Sequence, residues 1–291
     1  MSASHILSKP AMRWAAGGWT FFIAENFILS ENRTYLIENY GDDAYHYAYG
    51  TLSTAAMSSV FYGYFKKVKD APPLLFKGPT IPLGAKVASF LCLSLGLGMA
   101  SQIPPKIQIP VEFVVNKSSA GNENNTIATS AAATSEVMGP APPTMEGEGG
   151  WKVRCPFDFT DNKDTNSPVH GLERISRHPG LWSFGLLGLG SAFLVPSLPQ
   201  RVWLAMPSMV ALIGGAHTDS RFRRGMGGEL SEEYDKVTSN VPLVAMLSGA
   251  QGNVIDVMND FSTEIKPLNA AIAVGTAGLW VMSRGRVVPR R

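Results

Sequence analysis

Four polar clusters interrupt an otherwise apolar chain, and any chemistry must come from them. Glu25 and Asn26 lie inside the run from Trp14 to Ser30, and Glu31, Asn32 and Arg33 follow at once. A carboxylate at such depth needs a partner, a proton or a cavity, unless the helix tilts it towards an interface. The second cluster is GDDAYHYAYGTLS, Gly41 to Ser53. Asp42 and Asp43 suit the first turn of a helix, where the backbone dipole favours negative charge. His46, between Tyr45 and Tyr47, reads as a hydrogen-bonded interfacial residue or as a cofactor ligand. The third runs from Cys155-Pro156-Phe157-Asp158-Phe159 to HGLERISRHP, His170 to Pro179. Pro179 fits the first helical position. Arg174 and Arg177 are three apart, so on a helix or tight turn both guanidinium groups face one anionic group. The fourth is Ala216 to Val237, in which His217, Asp219 and Arg221 share a turn. Glu229, Glu232, Glu233 and Tyr234 begin a second amphipathic segment there, although a charged loop is usually just solvated. The candidate catalytic residues are His178, Arg177, Asp219 and Arg221. The candidate cofactor-binding residues are His46, His178 and His217, and no metal-ligand set is assigned. There is no P-loop, GxSxG elbow, CxxC pair or HExxH. Gly225, Gly227 and Gly228 make no dinucleotide fingerprint, because no strand precedes them.

The elements that must position these residues are long and apolar. Hydrophobic residues are 45% and charged residues only 16% of the 291, against roughly 25% charged in an ordinary soluble domain. The net charge of +2 offers no nucleic-acid surface. Two cysteines, with Cys92 inside an apolar run, exclude a disulfide scaffold. Ala44–Phe65, Val87–Pro105, His178–Gln200, Val202–Thr218 and Pro267–Ser283 contain no Asp, Glu, Lys or Arg, and Trp14–Ser30 has only Glu25. A membrane helix needs about 20 such residues, so the Val202 and Pro267 intervals are short. The expected fold is all-α, a multi-pass integral membrane bundle of about six transmembrane helices with one long disordered loop. Small residues at Gly96, Gly98, Gly185, Gly188, Gly190, Gly275 and Gly278 suggest close helix packing. Pro196, Pro199 and Arg201 suggest a tight hairpin between the fourth and fifth spans. Trp14, Tyr45, Tyr64, Trp182, Trp203 and Trp280 sit near span ends, as in an interfacial belt. Lys66, Lys67 and Lys69 mark one face as positive, but Arg221, Arg223 and Arg224 fall on the other, so charge leaves the orientation open.

The chain divides into N-terminal spans (1–106), a polar loop (107–150) and a C-terminal half (151–291). The loop is rich in Ser, Thr, Ala, Asn, Gly and Pro without apolar periodicity, a composition expected to stay disordered. Its sequons at Asn116 and Asn124 matter only in a secretory compartment. The start, MSASHILSKPAMR, shows neither a cleavable secretory signal nor a long transit peptide. An integral, multi-pass location in an organellar membrane, plastid or mitochondrial, is expected. Because the fourth and fifth spans form a short hairpin, Arg174, Arg177 and His178 should meet Asp219 and Arg221 at one membrane face, with Asp219 paired to Arg177 or Arg174.

CPFDF followed by LERISRHP resembles the signature of the NnrU family of membrane proteins, which includes the plant and algal cis-zeta-carotene isomerase. ENFILSENRTYLIENYGDDAYHYAYGTLS resembles that family's opening, and GGAHTDSRFRRGMGGELSEEYDKVTSNVPLVAMLSGAQ its polar loop and terminus. The resemblance covers most of the chain except about Ile107 to Gly150. It implies a membrane protein that acts on or binds a hydrophobic polyene or isoprenoid. The isomerases carry haem b on two histidines, but the matching positions here are Asn26 and Ser191, with Gly188 where a family cysteine stands. Neither Asn nor Ser is a competent axial ligand, so the resemblance implies the scaffold without the haem, and the cofactor is left unassigned. His178 matches the RHP histidine, and Asp219 and Arg221 match the polar loop. RHP with a later Glu-Glu-Tyr stretch is also similar to isoprenylcysteine and phospholipid methyltransferases, which would set His178, Arg177 and Glu233 around S-adenosylmethionine. A third reading is a non-catalytic scaffold or assembly factor. Expected partners are membrane lipids, the apolar ligand and a membrane protein partner, with no nucleic acid.

Overall fold

The computed structural model describes residues 9–72, 81–103, 111–114, 150–153, 168–226 and 228–284. It is all-α apart from one small ribbon. Six helices form the body: α1 (Pro10–Glu31), α3 (Asp42–Gly63), α4 (Leu83–Gln102), α5 (Pro179–Phe193), α6 (Leu198–Arg223) and α10 (Pro267–Arg284). Shorter helices decorate their ends: α2 (Arg33–Tyr40), α7 (Glu232–Val237), α8 (Val244–Leu247) and α9 (Val254–Glu264). Prolines open α1, α5 and α6, where a missing N–H costs nothing. Gly41, at φ +87°, separates α2 from α3.

The helices pack as an open row, α3–α1–α6–α5–α4–α10. Neighbours run antiparallel except α1 and α6, which run parallel: Trp19 meets Trp203 near one end and Ser30 meets His217 near the other. No extensive contact closes the row between α3 and α10. One core cluster lies on the α1–α3–α6 side, with Trp19, Phe22, Ala56 and Val60 packed against Trp203 and Met206. Others lie between α4 and α10 and between α4, α5 and α6. The N-terminal and C-terminal parts are thus interleaved, since α1 lies on α6 and α4 lies between α5 and α10.

All six predicted spans coincide with helices, but their lengths differ from expectation. The interval from His178 breaks after Phe193, so α5 has 15 residues, whereas α6 reaches 26 by running on past Thr218. Proline at 196 and 199 ends one helix and starts the next, and Arg201 Nη2 donates to the Val195 carbonyl at 3.2 Å to close the hairpin. Among the described residues one helix, α4 (mean hydropathy 1.6), is long and apolar enough to cross a membrane, or up to two if α9 and α10 count as one span bent by 99°.

The small residues divide. A Cβ on Gly188 would run into the Leu204 carbonyl oxygen and Pro207, and Gly96, Gly185 and Gly190 also face a neighbouring helix within 3.1 Å of a hypothetical Cβ. Gly98 and Gly275 face open space, so they are not part of a packing face. Nor do all the aromatics form a belt: Tyr45 and Trp182 are buried, and Trp203 donates to the Val60 carbonyl at 3.2 Å. Val111–Val114 and Gly150–Val153 pair as an antiparallel ribbon, where the composition of the loop gave no expectation of regular structure. The rest of the loop, the two sequons and Cys155–Phe159 lie outside the described residues.

Candidate functional site

Helix α6 decides which polar residues meet. At 100° per residue, positions four apart share a face and positions two apart oppose each other. Gly215, Asp219 and Arg223 therefore face one way, and His217 and Arg221 the other.

The first face carries a buried ionic chain. His178 Nε2 lies 2.8 Å from Asp219 Oδ1, and Arg177 Nη2 lies 3.0 Å from Asp219 Oδ2. Arg177 also pairs with Asp235 through Nη1. Asp235 in turn takes both Nε (2.6 Å) and Nη2 (2.9 Å) of Arg223. Asp219 and Arg177 are only 4% and 6% exposed, so the pairing offsets a large desolvation penalty. Arg223, then Arg177, holds the Asp235 carboxyl down at about 2. Burial pushes the adjacent Tyr234 phenol up.

Backbone contacts hold this chain in place. The segment Ile175–Arg177 lies along Ser239–Leu243: Arg177 N donates to Ser239 O (2.9 Å), Leu243 N to Ile175 O (2.8 Å) and Ser176 Oγ to Asn240 O (2.6 Å). Leu243 adopts a left-handed φ of 67° to do so, a conformation that a bulky residue holds only where surrounding contacts impose it. Asn240 Oδ1 accepts from Trp182 Nε1 at 3.0 Å, and Asn240 Nδ2 donates to the Leu212 carbonyl at 3.0 Å. Gly215 permits this, since a Cβ there would overlap the Asn240 amide and crowd the His178 ring.

Asp219 thus meets Arg177 and His178, but two expected members are elsewhere. Arg174 turns to Glu264, through Nε (2.9 Å) and Nη2 (2.8 Å), and holds that carboxyl at about 2. The two arginines do not converge on one anion, because the 3-10 turn Gly171–Arg174 ends between them. Arg221 points to α1, where Nη1 donates to Ser30 Oγ at 3.3 Å. His217 shares that face: its Nε2 is 2.7 Å from Ser30 Oγ and its ring lies 4.2 Å from that of Phe27. Beside it an open cleft of about 580 Å³ is lined by Phe27, Leu212, Ile213, His217 and Arg224, among others. Arg224 binds both oxygens of Glu31, at 2.6 and 2.9 Å.

His46 joins neither face; its Nδ1 is 2.9 Å from the Asp42 carbonyl one turn earlier. The three candidate cofactor histidines occupy three separate places. Among the described residues no three His, Cys, Asp or Glu side chains gather where a metal ion would sit. Asp235, Asn240 and Glu264 were not singled out from sequence. The signal available was scarcity: with so few charges, a buried arginine needs a carboxylate, and Asp235 and Glu264 meet that need for Arg177 and Arg174.

Asn26 and Ser191, the positions that the resemblance sets at haem ligands, do not face one iron. Asn26 is bound to Tyr49 Oη (2.6 Å) and to the Phe22 carbonyl (2.9 Å). Ser191 is near the opposite end of the bundle along the helix axes, two residues from the end of α5. Mapped onto α6, the two stand about ten residues or roughly 15 Å apart in height, too far to share one iron.

The chain matches no family model, no curated protein and no solved structure.

Proposed function

We propose that this chain is a multi-pass integral membrane protein of NnrU type that holds an apolar polyene or isoprenoid, without haem chemistry, in an organellar membrane. The observation that carries this reading is the open row of helices. It leaves large apolar side chains uncovered along its length, among them Phe21 (41% exposed), Phe61 (46%), Leu91 (60%), Leu279 (66%) and Trp280 (45%). Soluble monomers rarely leave apolar surface on this scale in water, whereas lipid covers it without penalty. Helix α9 supports the same plane. It carries Ile255 and Met258 exposed, opposite Asp256, Asp260 and Glu264, and leaves α10 at 99°, as an interfacial helix would.

A binding role is favoured over catalysis by His178, Arg177 and Asp219, because both Asp219 oxygens are already taken by Arg177 and His178, and Asp219 and Arg177 are buried. The same saturation weighs against the methyltransferase reading, and Glu233 stands exposed outside the ionic chain. The α1/α6 cleft, with an apolar wall at Phe27, Leu212 and Ile213 and a polar rim at His217 and Arg224, suits an apolar chain with a polar end. The test is alkaline carbonate extraction followed by absorbance and mass spectrometry of gently purified protein. Retention in the membrane with a co-purified polyene or isoprenoid is expected. Release by carbonate would refute the membrane reading, and a retained protein with no such ligand would refute the ligand.

A further inference from the structure

Nearly every buried or half-buried cation at the His178 end of the bundle has a carboxylate. Arg174 has Glu264, Arg177 has Asp219 and Asp235, Arg223 has Asp235, and Arg224 has Glu31. Among the described residues Arg221 breaks that rule, and the exposed Arg33 likewise makes no ion pair. Arg221 is half-buried, and among the described residues its Nη1 reaches the neutral Ser30 hydroxyl while its buried Nε has no hydrogen-bond partner. Arg33 lies 5.9 Å over the Tyr45 ring, whose hydroxyl donates to the Leu29 carbonyl, next to the Ser30 that Arg221 meets. Nearby carboxylates are engaged elsewhere: Glu31 with Arg224, Asp42 with His46, and Glu25 with Ser53. Two guanidinium groups that make no ion pair among the described residues, beside a hydroxyl and with Glu31 taken up by Arg224, make an anion-binding arrangement. They also lie just past Ser30 and Thr218, where the apolar stretches of α1 and α6 end.

We propose that Arg221 and Arg33, with Ser30, bind the phosphate of an anionic lipid headgroup at this end of the bundle. The inference rests on the membrane reading above, since only there does a headgroup reach this level. Phosphate oxygens take the terminal nitrogens of the Arg221 and Arg33 forks, and the acyl chains follow the apolar flanks of α1 and α6. A net negative headgroup is preferred over a zwitterionic one, because two cations are to be neutralised.

The experiment is native mass spectrometry of the full chain released from micelles containing equal phosphatidylglycerol and phosphatidylcholine. Wild type should retain phosphatidylglycerol preferentially. Arg221→Gln should lower that retention about tenfold, and Arg221→Lys should keep most of it, as expected for a charge-assisted contact. Arg33→Gln, at an exposed position that does not threaten folding, should lower it several-fold. Equal retention by wild type, Arg221→Gln and Arg33→Gln would overturn the proposal. Displacement of the lipid by millimolar inorganic phosphate would overturn the lipid assignment in favour of free phosphate. Carbonate extraction of the same samples separates the two failures, because a protein that stays in the membrane yet shows no headgroup preference refutes this inference alone.

Discussion

Asp219→Asn tests whether the His178–Asp219–Arg177 chain is a clasp that holds the helices together. Both Asp219 oxygens are used, at 2.8 Å and 3.0 Å, and the residue is 4% exposed. The amide keeps the shape but removes the charge, and its NH2 must face either Arg177 or His178, both of which offer hydrogens. Breaking a buried ion pair costs about 3–5 kcal/mol. Arg177 retains Asp235, which places the loss at the lower end, about 3 kcal/mol. At roughly 2–4 °C per kcal/mol for a domain of this order of size, the melting temperature should fall by about 6–12 °C. The assay is thermal unfolding in detergent followed by circular dichroism, with Asp260→Asn as the control. Asp260 is 63% exposed and 3.6 Å from Arg174, and such surface pairs contribute about 0–1 kcal/mol. The double replacement Arg177→Met with Asp219→Leu should recover much of the loss, because no buried charge is then left alone. An Asp219→Asn melt within about 2 °C of wild type, or no lower than Asp260→Asn, would refute the clasp.

Further outcomes follow from the same geometry. The Asp235 and Glu264 carboxyls are held at about 2, below their ordinary 3.8 and 4.5, so the stability they contribute is present near neutrality and is lost as pH falls from those ordinary values towards 2; an acid titration of Arg223→Gln and Arg174→Gln should show a shallower loss than wild type. Gly188→Val should abolish the monodisperse species seen by size exclusion, since its Cβ would meet the Leu204 carbonyl, while Gly275→Ala should leave it unchanged. The start of α1 and the end of α10 lie at the same end of the bundle along the helix axes, so on the proposed membrane reading reporter fusions before residue 10 and after residue 284 should fall on the same side. Leu212→Trp should narrow the α1/α6 cleft and lower the retention of the proposed apolar ligand, measured by absorbance.

The helices were legible because their signal is long and local. Charge-free intervals bounded by proline and glycine place all six long helices, and errors arise only where tertiary contacts override the boundary. α6 runs past Thr218 because Asp219 and Arg223 find partners off the helix, which no hydropathy window registers. Convergence of His178 with Asp219 was legible from the hairpin, but the split between Asp219 and Arg221 needed the helical phase of α6. Asn240 and Asp235 belong to a separate segment, and nothing local in the sequence places Ser239–Leu243 against Ile175–Arg177. The row order was likewise out of reach, since composition tells that a helix is apolar but not which neighbour it takes.

The two faces of α6 divide the work at this end of the molecule. The face of Gly215, Asp219 and Arg223 is closed: each charge there has a counter-charge, Gly215 admits His178 and Asn240, and the result ties α5, α6 and α7 together. The face of His217 and Arg221 is open: it borders a cleft, and Arg221 makes no ion pair there among the described residues. Rigidity on one face supports binding on the other, because a ligand that meets α6 gains affinity when the helix is already held in position. The closed face therefore acts on any ligand only through the position of α6. Substitutions within it should change ligand retention no more than they loosen the fold, whereas substitutions at Leu212 or Arg221 should change retention at unaltered stability.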